Sequence, residues 1–107
     1  MREVGADWRH AVLVCCNQRP PGAEKSSCGE ARGAALRDWL KARAKADGVK
    51  DRLLTARTSC LGVCSPLGVT VAAVPDPTTT QPRRMWVVAD DDDRDALWAA
   101  IRRHLGV

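Results

Sequence analysis

Residues 11–28 read AVLVCCNQRPPGAEKSSC and combine an apolar run, a proline-rich break and a helix start. The run Ala11–Cys15 is continuous, apolar and partly β-branched, as expected of a buried strand. The segment Asn17 to Gly22, with its two adjacent prolines, ends that strand and begins a loop. The stretch therefore predicts a strand that leads through a loop into a helix.

The predicted helix begins with the S-x-x-E pattern of a capping box, in which Ser27 is the N-cap and Glu30 reaches back to its amide. Gly48 is a natural stop, so the helix is expected to run from Cys28 to about Asp47. A second strand is predicted from Arg52 to Thr58, and the resulting βαβ unit should have parallel strands. The apolar helix positions, three or four residues apart, are Ala35, Leu36, Trp39, Leu40 and Ala44.

The second half of the chain predicts two further strands and a second helix. The strands are Gly68 to Val74 and Met85 to Val88, joined by a polar, proline-rich hairpin loop. The acidic run Asp90 to Asp93 is typical of a helix N-terminus, where carboxylates interact favourably with exposed amides. Residues 1–107 are thus predicted to be one α/β domain, a four-stranded sheet in the order βαβββα with two main helices. The last helix should bury Ala96, Leu97, Ala100, Ile101 and Leu105, and both Trp39 and Trp98 are assigned to the core.

Composition excludes several classes of function. The formal charge is +4, but the basic residues are spread along helix faces and no RNA-binding motif is present, so nucleic acid is not expected as a partner. The charged N-terminus lacks the apolar run of a signal peptide, and the longest apolar stretch is too short to span a bilayer. A cytoplasmic location is therefore expected. In that reducing compartment, cysteines indicate metal binding or redox chemistry more often than disulfides.

Four cysteines are spaced as C-x12-C and C-x3-C, at Cys15, Cys28, Cys60 and Cys64. Each lies where a predicted strand ends or where the predicted helix begins. In a parallel βαβ unit these points lie at one edge of the sheet, where open α/β sheets form their binding sites. A helix N-terminus also favours the thiolate form of a cysteine such as Cys28. The four sulfur atoms are therefore expected to meet at that edge as metal ligands.

The spacing favours a two-iron centre over a single metal ion. Structural zinc sites usually contain C-x2-C pairs, and this chain has none. A C-x3-C pair with two well-separated sulfurs suits a [2Fe–2S] cluster with two ligands on each iron. A mononuclear zinc site remains the alternative.

These residues resemble the thioredoxin-like [2Fe–2S] ferredoxins, which are related to a small cluster-bearing subunit of respiratory NADH dehydrogenase. The resemblance extends over most of the chain, including the C-x12-C and C-x3-C spacings. It is carried by His10 and the strand into Cys15, by Arg19-Pro20-Pro21-Gly22, by Ser27-Cys28-Gly29, by Cys60-Leu61-Gly62-Val63-Cys64 and by Trp86-Val87-Val88. The resemblance implies a thioredoxin-like fold, a [2Fe–2S] cluster bound by Cys15, Cys28, Cys60 and Cys64, one-electron transfer and a homodimer.

The function expected from this resemblance is that of an electron carrier between redox partner proteins, not an enzyme. One alternative is a regulatory module whose cluster senses oxidants or iron supply. A thiol enzyme is disfavoured because the chain has no C-x-x-C. A basic helix face could attract an acidic redox partner, or could be an ordinary solvated face; its residues are Arg32, Arg37, Lys41, Arg43 and Lys45.

Two residues near the predicted ligands have alternative roles. Strand alternation sends Cys16 to the opposite face from Cys15, so Cys16 is expected not to be a ligand, although a shift of one residue would exchange the two. His10 could replace a cysteine only in a Rieske-type centre, which needs two histidines on one iron. His104 lies in the distant last helix, so simple roles at the strand start and helix end are expected for both histidines.

Overall fold

The computed structural model describes residues 1–5, 8–16, 30–58, 61, 68–76 and 78–107. Short 3-10 turns at Lys50–Arg52 and Asp91–Asp93 precede the second strand and the last helix. The predicted order βαβββα is confirmed, although the capping residue Ser27 lies outside the described residues. The elements are β1 (His10–Cys15), α1 (Glu30–Ala46), β2 (Leu53–Thr58), β3 (Val69–Val74), β4 (Arg84–Val88) and α2 (Arg94–Leu105).

The described strands form one mixed sheet in the order β2-β1-β3-β4. β1 and β2 are parallel, as predicted, and pair from His10 opposite Leu53 to Cys15 opposite Thr58. β3 is antiparallel to β1, and β4 is antiparallel to β3. Consequently β1, β2 and β4 run in the same direction. Their last residues, Cys15, Thr58 and Val88, define what we call the carboxyl edge of the sheet.

Both helices cover the same face of this sheet. Side chains of α2 reach the end of α1: the indole N–H of Trp98 donates to the carboxylate of Asp47 at 2.7 Å, and Arg43 pairs with Asp95 at 2.8 Å. Between the helices and the sheet lies an aliphatic core. Its most buried members are Val12, Val14, Leu40, Val49, Val71 and Ile101.

The opposite face of the sheet carries no helix in the described part of the chain, and we call it the open face. Alternation places Leu13, Leu54, Met85 and Val87 there. Met85 and Val87 on β4 are 38% and 40% exposed, whereas Ala72 beside them on β3 is buried. The open face is therefore apolar and partly accessible to solvent.

The helix boundaries follow the predicted local signals. Gly48 has a φ of 74° and forms the end of α1, where its own amide bonds to Lys45 and the amide of Val49 bonds to Ala44. This is the Schellman arrangement, and Val49 completes it by burying its side chain. At the other helix, the carboxylate of Asp90 accepts from the amide of Asp92 at 2.8 Å. The acidic run is thus a helix start, as predicted.

Two predicted core positions are wrong, and each strand begins one residue away from its predicted start. Ala35 and Ala96 are exposed. In α2, the neighbouring Trp98 faces the core instead of Ala96, because the large indole ring buries far more apolar area than a methyl group. Arg52 belongs to the 3-10 turn, so β2 begins one residue later than predicted.

Three of the four tryptophans contact the core, and they are buried to different extents. Trp98 is buried, which confirms its assignment to the core. Trp39 is half-buried at the rim of the core, with the guanidinium groups of Arg43 and Arg94 at 5.6 and 5.9 Å from its ring centroid. Its core assignment is therefore confirmed only in part. Trp86 packs against the core and meets His104 edge to face, with ring centroids 6.5 Å apart.

Candidate metal centre

Cys15 is the one predicted ligand that lies among the described residues. It is the last residue of β1 and is fully buried in contact with the core. Cys28, Cys60 and Cys64 lie outside the described ranges. The predicted convergence of four sulfur atoms therefore stays a prediction. For the other three cysteines, the structure describes only the neighbouring residues in the chain.

The ends of β1 and β2 lie side by side at the carboxyl edge. Cys15 is paired with Thr58, and the ladder continues one residue further, where the amide of Cys16 donates to the carbonyl of Thr58 at 2.8 Å. Thr58 precedes Cys60 by two residues in the sequence. The two strands that lead to Cys15 and to Cys60 are thus held together up to their last residues.

Helix α1 approaches the same edge very closely at Gly33. A Cβ atom at Gly33 would lie 2.3 Å from the carbonyl oxygen of Cys15 and 2.8 Å from the sulfur of Cys16. No ordinary side chain fits into such a gap, so the first turns of α1 rest directly on the end of β1. Our sequence reading missed Gly33, although a glycine inside a helical pattern is a signal of close approach.

The segment between Cys60 and Cys64 has one described residue. This residue, Leu61, is half-buried and packs against the core. Its contact ties Leu61, which lies between two predicted ligands in the sequence, to the core.

Cys16 differs from Cys15 in its surroundings. Its side chain is half-buried, and its sulfur lies 3.7 Å from the carbonyl oxygen of Val14, close to Gly33 of α1. The sulfur of Cys16 therefore lies on the helix-covered side of the sheet. Whether Cys15 or Cys16 is the ligand is still a prediction, and it can be tested by substitution.

Both histidines form hydrogen bonds with the backbone, and His10 lies at the end of β1 that is opposite the carboxyl edge. His10 begins β1 and is five residues from Cys15, about 17 Å along an extended strand. Its Nδ1 accepts from the amide of Asp76 at 2.8 Å, and the Nε2 of His104 contacts the carbonyl of Pro82 at 2.7 Å. These contacts agree with the simple structural roles that the sequence predicts for both histidines.

Asp76, beside His10, organises the start of the β3–β4 loop. Its carboxylate accepts from the amide and the hydroxyl of Thr78, each at 2.9 Å. These hydrogen bonds hold the pKa of Asp76 below its ordinary value, and the nearby Arg9 contributes in the same direction. The loop opposite the carboxyl edge is thus fixed by a local turn and carries no metal-binding group of three ligands among the residues described.

The basic face of α1 is partly neutralised. Arg37 pairs with Asp38 at 2.9 Å, and Arg43 pairs with Asp95 at 2.8 Å. Lys41 and Lys45 are exposed, but they follow Gly33 by eight and twelve residues, about 12 and 18 Å along the helix axis. Most of this positive charge therefore lies away from the carboxyl edge, where the acidic run begins α2.

The chain is similar in structure to a known protein. A crystal structure at 1.5 Å resolution of the wild-type thioredoxin-like [2Fe-2S] ferredoxin from Aquifex aeolicus superposes with a TM-score of 0.66, covering 92% of this chain and 87% of that chain. The chain has a thioredoxin-like fold. The sequences are 18% identical, and both the α/β architecture predicted from the residue patterns and the thioredoxin-like fold implied by the resemblance are confirmed. No protein-family model and no curated protein matches the chain.

None of the helices in the described ranges is long and apolar enough to cross a bilayer.

Proposed function

We propose that this protein is a one-electron carrier that holds a [2Fe–2S] cluster through Cys15, Cys28, Cys60 and Cys64. The observation that carries the proposal is the meeting of β1, β2 and α1 at the carboxyl edge, beside a buried cysteine. The similarity in fold to a [2Fe-2S] ferredoxin supports the same conclusion. The carrier is not an enzyme, and it exchanges electrons with redox partner proteins in the cytoplasm.

The described residues next to Cys28, Cys60 and Cys64 in the chain support this ligand set. Cys60 follows Thr58 by two residues, Cys28 precedes Glu30 by two, and Cys64 follows Leu61 by three. Two residues extend at most about 7 Å and three at most about 10 Å. Thr58 pairs with Cys15, α1 rests on β1, and Leu61 packs on the core. Each flank is thus tied to the sheet or to its core, which supports a common site for the four sulfur atoms.

The chemistry of the donors fits the group. Four thiolates are the usual ligands of a [2Fe–2S] cluster, and the bound cluster supplies one-electron transfer at low potential. Cys15 comes from a buried strand end, so its sulfur is fixed by the sheet and shielded from water. Strand pairing through the amide of Cys16 keeps that end from moving. The protein therefore contributes a rigid, partly dry set of ligands.

The first experiment is anaerobic purification followed by visible spectroscopy and metal analysis. We expect a red-brown protein with about two iron and about two sulfide ions per chain. Redox titration should give a midpoint near that of plant-type ferredoxins, roughly −400 mV, because all four ligands are thiolates. A midpoint in the range of Rieske centres would contradict all-cysteine ligation. A colourless protein with one zinc ion would overturn the proposal.

The carrier role is separated from sensing by a second measurement. A carrier exchanges electrons rapidly and reversibly with a reductase and keeps its cluster through repeated cycles. A sensor would lose its cluster on oxidation and change its binding to a partner. We expect repeated cycling without loss of iron.

We also propose that the protein forms a homodimer through the open face. This face carries the half-buried Leu13 on β1 and Leu54 on β2, and the exposed Met85 and Val87 on β4. Exposed apolar patches on a sheet are typical of interfaces between subunits. Pairing of two open faces would bury these side chains and would leave both helices outside the interface.

Substitution of Val87 tests the dimer. Val87→Lys should convert a particle with the mass of two chains into one with the mass of a single chain, because a buried lysine charge would be strongly unfavourable. Light scattering coupled to size-exclusion chromatography measures both masses. Val4→Lys is the matched control, since Val4 is equally apolar but lies in the exposed N-terminal segment. A Val87→Lys protein that keeps the mass of two chains would exclude the open face as the interface.

A further inference from the structure

Gly33 lies inside α1, at a position where glycine is intrinsically unfavourable. It is the fourth residue of the helix, which begins at Glu30. Glycine destabilises a helix interior relative to alanine because it leaves the unfolded chain more freedom. The next two residues, Ala34 and Ala35, are alanines. A glycine among strong helix formers needs a reason outside the helix.

The reason is the space between α1 and the end of β1. A Cβ at this position would come within 2.3 Å of the carbonyl oxygen of Cys15, and that oxygen belongs to the backbone and cannot rotate away. Carbon–oxygen contacts are normally about 3.3 Å or longer. Any side chain at Gly33 would therefore push α1 and β1 apart by roughly 1 Å.

We propose that Gly33 is a positioning residue for the metal centre, an inference that rests on the proposed function. Gly33 sets the separation between the strand that carries Cys15 and the helix that begins two residues after Cys28. Because those two segments each supply one of the proposed sulfur ligands, their separation fixes the distance between two ligands. Gly33 acts through the backbone of Cys15 and touches no reacting group itself.

The test is Gly33→Ala with two readouts. In the metal-free protein, the amide of Cys16 reports on the strand end, because it donates to Thr58 at 2.8 Å. We expect its hydrogen exchange to accelerate about tenfold relative to the amide of Val71 in the middle of β3. In the loaded protein, we expect less iron per chain and a shifted visible circular dichroism or electron paramagnetic resonance spectrum.

Gly48→Ala is the matched control, because it makes the same change at the other end of the same helix. Gly48 has a φ of 74°, so alanine there is strained, but nothing lies within 4 Å of the added Cβ. This variant should lose stability without a selective effect on the amide of Cys16 or on the spectrum. Equal effects of both substitutions would reduce Gly33 to a general stabilising role and overturn the proposal.

A double variant separates the backbone contact from the sulfur contact. Cys16→Ala combined with Gly33→Ala removes the 2.8 Å contact with sulfur but keeps the 2.3 Å contact with the carbonyl oxygen. We expect the strand end and the spectrum to remain disturbed relative to Cys16→Ala alone. If the hydrogen exchange and the spectrum of the double variant equal those of Cys16→Ala alone, Gly33 acts only through the side chain of Cys16, which would overturn the proposal.

The outcomes distinguish this inference from the proposed function. A wild-type protein that is colourless and binds one zinc ion would end the electron-carrier proposal, whatever Gly33→Ala does. Normal exchange at Cys16, together with an unchanged spectrum and iron content in Gly33→Ala, would overturn the role of Gly33 and leave the carrier proposal intact.

Discussion

Serine in place of Cys15 is expected to abolish the visible absorption of the purified protein, whereas serine in place of Cys16 should leave it unchanged. Cys15 is fully buried at the end of β1 and next to Thr58, where the strands leading to two proposed ligands meet. Changes to residues that only support a metal ligand reduce affinity by about 10–100-fold, so loss of a ligand should lower iron content at least tenfold.

Cys16 provides the matched control for this substitution. It is adjacent in sequence, its side chain is only half-buried, and its sulfur lies beside Gly33 of α1. Far-ultraviolet circular dichroism must show that both serine variants are folded, because a hydroxyl buried at Cys15 is itself unfavourable. Loss of colour in Cys16→Ser, with colour retained in Cys15→Ser, would mean that the ligand is Cys16 and that the strand register is shifted by one residue.

Alanine in place of Leu40 should lower the free energy of unfolding by about 3 kcal/mol. Leu40 is 1% exposed and lies between α1 and the sheet, in a core that has no Phe or Tyr to compensate for lost volume. The total stability of a domain is about 5–15 kcal/mol, so this loss is a large fraction of it. Urea denaturation of both proteins in the same metal-bound state measures the difference.

The neighbouring Lys41→Ala is the control for Leu40→Ala. Lys41 follows directly in α1 and is exposed, so its replacement should change stability by less than about 0.5 kcal/mol. The contrast tests the predicted orientation of α1. A loss below about 1 kcal/mol in Leu40→Ala would mean that this face of the helix is not the one packed on the sheet.

Local signals in the sequence predicted the elements well. Gly48 ends α1 by adopting a positive φ, and Asp90 caps the 3-10 turn that leads into the last helix, as their residue types suggest. Both outcomes depend on hydrogen bonds between residues only a few positions apart. The predicted burial of Ala35 and Ala96 was wrong, and both are exposed. Alanine is weakly apolar, so its burial depends on which larger neighbour faces the core.

The candidate site was predictable only in part. The cysteine spacing and the alternation of strands and helix pointed to one edge of the sheet, and the pairing of Cys15 with Thr58 agrees with that expectation. The close contact of Gly33 with the carbonyl oxygen of Cys15 was not predicted. It joins residues 18 positions apart, and hydrophobic periodicity carries no information on how closely two backbones approach.

Local patterns were enough to predict the number, kind and order of the described elements and the parallel pairing of β1 with β2, since hydrophobic periodicity, caps and the βαβ connection act over short stretches of chain. The position of β1 between β2 and β3, the placement of both helices on one face, and the exposure of Met85 and Val87 on the other follow only from long-range packing. Those features depend on contacts between distant segments. Their free energy comes from the whole packed core and cannot be assigned to any single stretch of chain.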